Sequence, residues 1–199
     1  MIEAIGFNFR NLLNFNGRDS RSTFWFYVLF LVIFYFGISF ALSLVGGGMM
    51  AVNMVQDAQA GSTDQAVVMK GVGHSMSRLM AASMWFSAAM SILASLLLVA
   101  SFARRLHDSD KPGWIAVVVI GLYLVSVAVT ISMIGEFAGI FEKIDFSNPQ
   151  ASQQLMVAQQ RSITLRGLLG YIPILAVIVF GVWPSSDGDN RYGPEPDHL

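Results

Sequence analysis

The residues with the most chemical potential are concentrated in one short stretch, 103–114, which reads Ala-Arg-Arg-Leu-His-Asp-Ser-Asp-Lys-Pro-Gly-Trp. This stretch contains six of the chain's 28 His, Lys, Arg, Asp and Glu residues, and uncharged apolar runs flank it on both sides. Such a pattern is typical of a chain that leaves a bilayer, turns and re-enters it. His107 beside Asp108 could form a hydrogen-bonded pair with a raised histidine pKa, as in a proton acceptor or switch. A structural pair that fixes the turn is the more common outcome.

The two arginines of this stretch have an ordinary structural explanation. Arg104 and Arg105 end a predicted helix, where cations meet the partial negative charge of the carbonyl end and contact anionic lipid. Arg18 and Arg21, near the amino terminus, could pair with the aspartates of the stretch and seal the bundle. Alternatively, the four arginines could converge on a lipid phosphate or another anion through bidentate hydrogen bonds.

A third polar motif, Asp-Asn-Arg-Tyr-Gly-Pro at 189–194, lies close to the carboxyl terminus. Its asparagine and arginine could complete such a pocket, with the tyrosine as one wall. The candidate site is therefore a polar cluster, either structural or ligand-binding, that consists of Arg18, Arg21, Arg104, Arg105, His107, Asp108, Asn190, Arg191 and Tyr192.

Other site chemistries find little support in the sequence. The chain has no cysteine, which excludes disulfides and thiolate chemistry. The acidic pairs at 108–110 and 187–189 do not continue into the spacing of a calcium loop. The three histidines lack metal-ligand spacing, and neither a Gly-rich phosphate loop nor a nucleophile elbow occurs. We therefore predict no catalytic residue, no metal site and no cofactor.

The elements that must position this cluster are indicated by composition. Of the 199 residues, 54% are hydrophobic and only 13% are charged, whereas soluble domains contain about 25% charged residues. A net charge of −1 gives no general attraction to nucleic acid. One integral membrane domain is the expected organisation.

Four uncharged or nearly uncharged runs are long enough to cross a bilayer, which takes roughly 20 apolar residues. We predict an all-α integral membrane protein with spans at 23–45, 79–103, 113–135 and 167–183, within a membrane domain at 23–184. The second span is rich in alanine and serine, which allow close helix approach. These small residues are equally compatible with dimerisation and with tight packing inside one monomer.

The segments between and beyond the spans are polar or mixed. Residues 1–22 are predicted as an interfacial segment with a short helix that has one face in the acyl boundary, and 185–199 as a tail without a core. Residues 46–78 and 136–166 are predicted as two long polar outer loops. These loops contain a helix stop at Gly46-Gly47-Gly48, helix caps at Ser62-Thr63-Asp64 and Asn148-Pro149, and a polar helix over 150–166.

The distribution of positive charge orients the spans. Seven of the 12 Lys and Arg residues lie in the amino-terminal segment, the short turn after the second span, and the tail. Three of the seven fall within that turn, and charges in short loops weigh most in the positive-inside rule. Both termini and the polar cluster are therefore expected on the cytoplasmic side.

Three motifs carry a family resemblance. Gly-Arg-x-Ser-Arg-x-x-Phe-Trp at 17–25, Ala-Arg-Arg-Leu-His-Asp leading to Pro-Gly-Trp at 103–114, and Asn-Arg-Tyr-Gly-Pro at 190–194 occur in that order. This pattern resembles the domain-of-unknown-function 805 (DUF805) family of small bacterial inner-membrane proteins, over about residues 9–196. The resemblance implies a multi-span inner-membrane protein with cytoplasmic motifs and implies no activity. Relative to shorter family members, the resemblance implies that the two long outer loops are enlarged.

The favoured interpretation is a non-enzymatic inner-membrane protein in contact with membrane lipids. Its polar cluster would be structural and could bind an anionic lipid headgroup or a protein partner. A small-solute transporter or channel subunit is the second hypothesis, although the spans lack acids and bases and offer only hydroxyl groups for a polar path. A lipid-modifying enzyme with His107 as base and Asp108 as its orienting group is the third.

Overall fold

The computed structural model describes residues 1–59, 65–143 and 149–196. The described residues form seven α-helices, and one 3₁₀ turn at Leu168–Gly170 follows the sixth. The helices are α1 Ile2–Arg10, α2 Arg21–Gln59, α3 Gln65–Asp108, α4 Trp114–Ser132, α5 Ile134–Lys143, α6 Pro149–Gly167 and α7 Tyr171–Val182.

Four helical stretches are long and apolar enough to span a membrane. Each contains most or all of one of the apolar runs seen in the sequence, and the all-α membrane fold is therefore confirmed. The four stretches are Arg21–Asn53, Gly71–Asp108, Trp114–Ile140 and Ile163–Val182.

The expected outer loops are largely wrong, because most of their described residues are helical. α2 passes through the three glycines and ends at Gln59, while α3 already begins at Gln65. The second loop region contains α5 and α6, and the polar helix predicted over 150–166 is confirmed as α6. The cap predicted at 62–64 lies outside the described residues, as does Asn148.

The glycines of α2 do not stop the helix, and at one of them packing gives the physical reason. A glycine inside a helix costs only about 1 kcal/mol relative to alanine, which neighbouring contacts can offset. A Cβ atom on Gly46 would lie 2.5 Å from Cδ1 of Leu79. The missing side chain therefore allows α2 and α3 to approach closely at this point. Gly47, by contrast, has open space around its Cβ position.

The contacts divide the chain into two compact units. One contains residues 37–89 and 128–167, with the Gly46–Leu79 approach and an exposed Arg166–Glu136 ion pair at 3.2 Å. The other contains residues 1–36, 90–127 and 168–199, and all three polar motifs belong to it. Its apolar core is formed by α2, α3 and α4 through Phe24, Phe102, Ala103, Leu106, Ala116 and Val119.

The close approach at Gly46 can be tested with neighbouring glycines as a matched pair. Gly46→Leu should lower the free energy of unfolding by about 1–3 kcal/mol, since it forces a side chain into an occupied space. Gly47→Leu, in the same helix, should leave stability unchanged or slightly raised because its side chain meets no neighbour. Thermal unfolding of the detergent-purified variants, followed by circular dichroism, compares them. Equal behaviour of the two variants would contradict the packing role of Gly46.

Candidate functional site

The carboxyl end of α3 is buried on every side. All eight residues from Ser101 to Asp108 are at most 8% exposed, and Arg105 and Asp108 are fully buried. Phe102 and Leu106 belong to the apolar core, so the charged residues of the same turns must find polar partners elsewhere. An unpaired charge in such a position would cost several kcal/mol.

Arg104 ties the amino-terminal segment to α3. Its Nε donates to Oδ1 of Asp19 at 2.8 Å, and its Nη2 donates to Oδ2 of Asp19 at 3.2 Å and to Oδ1 of Asn8 at 2.7 Å. Its Nη1 donates to the carbonyl oxygens of Asn11 and Asn14. All five N–H donors of this guanidinium are therefore used by the chain itself.

Asp19 is held by the same end of α3. Its Oδ2 accepts a hydrogen bond from Ser101 Oγ at 2.9 Å, and its backbone N–H donates to the carbonyl of Arg104 at 3.2 Å. Burial raises the pKa of the Asp19 carboxyl, while the hydrogen bonds and charge of Arg104 act in the opposite direction. The ionised carboxylate at this position thus depends on Arg104.

Asp108 is the acceptor that two arginines share. Its Oδ1 accepts from Nε and Nη2 of Arg18 at 3.1 and 3.0 Å. Its Oδ2 accepts from Nη1 of Arg105 and from Oγ of Ser185. One buried carboxylate therefore joins the first motif, the end of α3 and the start of the tail.

The remaining donors of these two arginines bind main-chain carbonyls of the last helix and the tail. Arg18 donates to Ser186 at 2.8 Å, to Gly188 at 2.6 Å and to Gly193 at 3.4 Å. Arg105 Nε donates to the carbonyl of Gly181 at 3.1 Å, and its Nη2 donates to that of Trp183. Carbonyl oxygens thus accept most of the N–H groups that Asp108 does not bind, and Arg105 Nη1 also lies 3.4 Å from Ser185 Oγ.

His107 does not pair with Asp108, so the expected hydrogen-bonded pair is wrong. The Asp108 carboxylate, the group that could have raised the pKa of His107, accepts hydrogen bonds from Arg18 and Arg105. His107 Nδ1 instead donates to the carbonyl of Gly17 at 3.2 Å. The imidazole stacks on Tyr192 with centroids 3.8 Å apart and an interplanar angle of 6°. A Cβ atom on Gly113 would lie 2.7 Å from His107 Nε2, so only glycine leaves room there.

The third motif folds back onto the end of α3. Asn190 Nδ2 donates to the carbonyl of His107 and to Oγ of Ser186, both at 2.9 Å. Arg191 is exposed, and its Nε lies 3.1 Å from Oδ1 of Asp110. The Cζ atom of its guanidinium also lies over the Tyr192 ring, 4.8 Å from the ring centroid.

Arg21 differs from the other candidate arginines. It is the first residue of α2 and is exposed, although its charge lies close enough to Arg105 to interact with it electrostatically. The cap of α2 is Ser20, whose Oγ accepts from the backbone N–H of Thr23 at 3.2 Å. Ser20 therefore caps the helix, whereas the neighbouring Asp19 binds Arg104.

Several residues of the cluster were not among those predicted from the sequence. Asp19 stands inside the first motif, between two arginines, and this placement was a usable signal. Asn8 and Ser101 carry no comparable signal, because a single asparagine or serine in a helix is common. Ser185 and Ser186 are equally inconspicuous in the tail. Among the described residues, no three His, Asp or Glu side chains lie together as a metal site requires.

Four membrane-length helices and a buried Arg–Asp cluster at the end of one of them define a multi-pass membrane protein. The chain belongs to the family described as protein of unknown function (DUF805), which matches residues 12–194 and therefore all three motifs. The resemblance drawn from the motifs is thereby confirmed. No curated protein and no solved structure matches the chain.

The stacked imidazole gives a prediction about the tail. Tyr192→Ala should remove the ring on which His107 stacks and loosen the third motif, whereas Tyr192→Phe should retain the stack and the docked tail. Hydrogen exchange of the backbone amides of residues 186–193, followed by mass spectrometry, measures this opening. We expect faster exchange in Tyr192→Ala alone. Parent-like protection in that variant would show that the stack does not hold the tail.

Proposed function

We propose that the chain is a non-enzymatic protein of the bacterial inner membrane in which the buried Arg–Asp cluster acts as a structural clamp. The clamp consists of Arg18, Asp19, Arg104, Arg105 and Asp108 with the carbonyl groups that they bind. It joins the amino-terminal segment, the end of α3 and the tail. The observation that carries this proposal is the complete use of the N–H donors of Arg18 and Arg104 by acceptors within the chain.

Because acceptors within the chain already use these N–H donors, a structural role of the buried arginines is favoured over anion binding. A lipid phosphate would have to displace a buried carboxylate or several carbonyl oxygens, which would then lose their own partners. Exposed cations on the same face meet no such obstacle. Headgroup or partner binding, which the sequence left open, is therefore assigned in this proposal to Arg21 and Arg191 at the surface.

The clamp also supports an arrangement with both termini on one side of the membrane. Arg18 contacts the carbonyl of Gly188 directly, which supports a common side for the segments before α2 and after α7. The positive-inside rule favours the cytoplasm as that side. The exposed Phe7 and Phe9 of α1 suit insertion into the adjacent interface.

Two other functions receive less support. For a polar solute path, the hydroxyls of Ser43, Ser83 and Ser126 are turned to carbonyl groups of their own helices. For a membrane enzyme, the base and its orienting carboxylate would have to contact each other, whereas His107 and Asp108 bind different partners. The same two observations leave the structural role as the best account of the cluster.

The clamp proposal predicts a large difference between two arginines. Arg104→Ala should lower the free energy of unfolding by about 3–5 kcal/mol, since it leaves the buried Asp19 without its cation. Arg191→Ala removes an exposed ion pair with Asp110 and should cost less than about 1 kcal/mol. Denaturation of both variants in detergent micelles measures the two values.

Restoring neutrality provides the matched control. Asp19→Asn combined with Arg104→Gln should be more stable than Arg104→Ala alone, because no buried charge then lacks a partner. Native mass spectrometry of the parent and of Arg104→Gln tests the competing role. The parent could retain an anionic lipid that Arg104→Gln loses, while the two proteins unfold alike. That outcome would contradict the clamp and indicate an anion-binding site at Arg104.

A further inference from the structure

A second feature of the unit that carries the motifs is a cavity among its membrane-spanning segments. Its volume is about 510 Å³, it is partly open at the surface, and side chains of α2, α3, α4 and α7 line it. Nearly all of the lining is hydrocarbon or aromatic ring, for example Leu31 and Val32 of α2 and Val177 of α7. This volume lies within the range of roughly 300–1,000 Å³ that ligand sites occupy.

Small residues of α3 create the hollow. Ser91, Ala94 and Ser95 form the α3 wall together with Leu98. The hydroxyl of Ser95 donates to the carbonyl of Ser91 at 2.7 Å, so this polar group is satisfied by its own helix. The wall consequently offers an occupant little beyond apolar contact, and a polar occupant would lose hydrogen bonds on entry.

The cavity is long and follows the axis of α2. The α2 residues that line it extend from Trp25 to Phe36, which corresponds to roughly 16 Å at the helical rise. Trp25, Val28, Val32 and Tyr35 repeat at spacings of three and four and thus share one face of the helix. Arg21, exposed at the first turn of α2, continues the same spacing at one end of this face.

We propose that the cavity holds one acyl chain of an anionic phospholipid, whose phosphate contacts Arg21. In a bilayer, acyl chains are the surrounding medium, and an empty apolar space would forfeit dispersion contacts that a chain restores. A guanidinium one helical turn before Trp25, on the face of α2 that lines the elongated apolar cavity, matches the charge and shape of such a lipid. This inference rests on the membrane location in the proposed function and needs no arginine of the clamp to bind the lipid.

Photolabelling tests the proposal with the full chain. The protein is reconstituted in vesicles of phosphatidylethanolamine and phosphatidylglycerol that contain a trace of phosphatidylglycerol with a diazirine in mid-chain. Labelled residues are then mapped by mass spectrometry. We expect labels on the cavity wall at Ser91, Ala94 and Ser95, in addition to those on the exposed Leu93 and Leu96. Labels on the exposed pair alone, with none on the cavity wall, would overturn the proposal.

Two substitutions on α3 distinguish labelling by a lipid in the cavity from labelling by the bulk lipid. Ala94→Leu fills the hollow and should lower wall labelling by about tenfold, equivalent to ~1.4 kcal/mol. Ala82→Leu makes the same change at an exposed position of α3 outside the cavity and should leave wall labelling unchanged. Equal labelling in the two variants would overturn the proposal. If Ala94→Leu fails to fold, the map of the parent still decides the question.

A substitution of Arg21 tests its proposed contact with the lipid phosphate. Arg21→Gln should lower wall labelling by the phosphatidylglycerol probe about fivefold, as expected for one cation at an anionic headgroup. Labelling by a phosphatidylcholine probe with the same chain should change little. Unchanged wall labelling by the phosphatidylglycerol probe in Arg21→Gln would overturn the role of Arg21. Because Arg21 and Ala94 take part in no hydrogen bond of the clamp, a failure of the labelling experiments is distinguishable from a failure of the unfolding experiments.

Discussion

The burial of guanidinium groups at the end of α3 is the constraint on which the rest of this unit depends. Arg18, Arg104 and Arg105 are at most 7% exposed, and in the described part of the chain two buried carboxylates, Asp19 and Asp108, lie among them. Two carboxylates cannot satisfy the donors of three guanidinium groups. Most of the remaining acceptors are main-chain carbonyls, which must be held at fixed positions around each guanidinium group. The courses of the amino-terminal segment and of the tail follow from that requirement.

This requirement explains why residues far apart in sequence form one site. Carbonyl groups free of helical partners occur at helix ends and in turns, and the arginines use them at Asn11, Trp183 and Gly188. The imidazole of His107 fits the same pattern, since its Nδ1 binds the carbonyl of Gly17. The histidine thus serves as a packing and hydrogen-bonding element between all three motifs, with Gly113 making room for it.

The sequence predicted the membrane fold and most of the polar residues of the cluster. Uncharged runs and the density of arginine at 104–105 are strong signals, because charge is costly within a bilayer. The sequence could not predict that α2 continues beyond Gly46, because the close contact at that point is with Leu79, which is distant in the chain. Nor could it predict the partner of each arginine. Asp19 and Asp108 are both aspartates near arginines, and only the fold assigns Arg104 to one and Arg18 to the other.

The clamp and the cavity meet at a single carbonyl group. Gly181 O accepts from Arg105 Nε at 3.1 Å and from Trp25 Nε1 at 3.2 Å, and Trp25 is also part of the cavity lining. A Cβ on Gly181 would lie 2.8–2.9 Å from the rings of Phe24 and Trp25, so α2 and α7 are in close contact here. Helices with small residues such as those of α3 would ordinarily close together. Because the charged cluster fixes the ends of α2, α3 and α7, the space beside Ala94 can persist instead of collapsing.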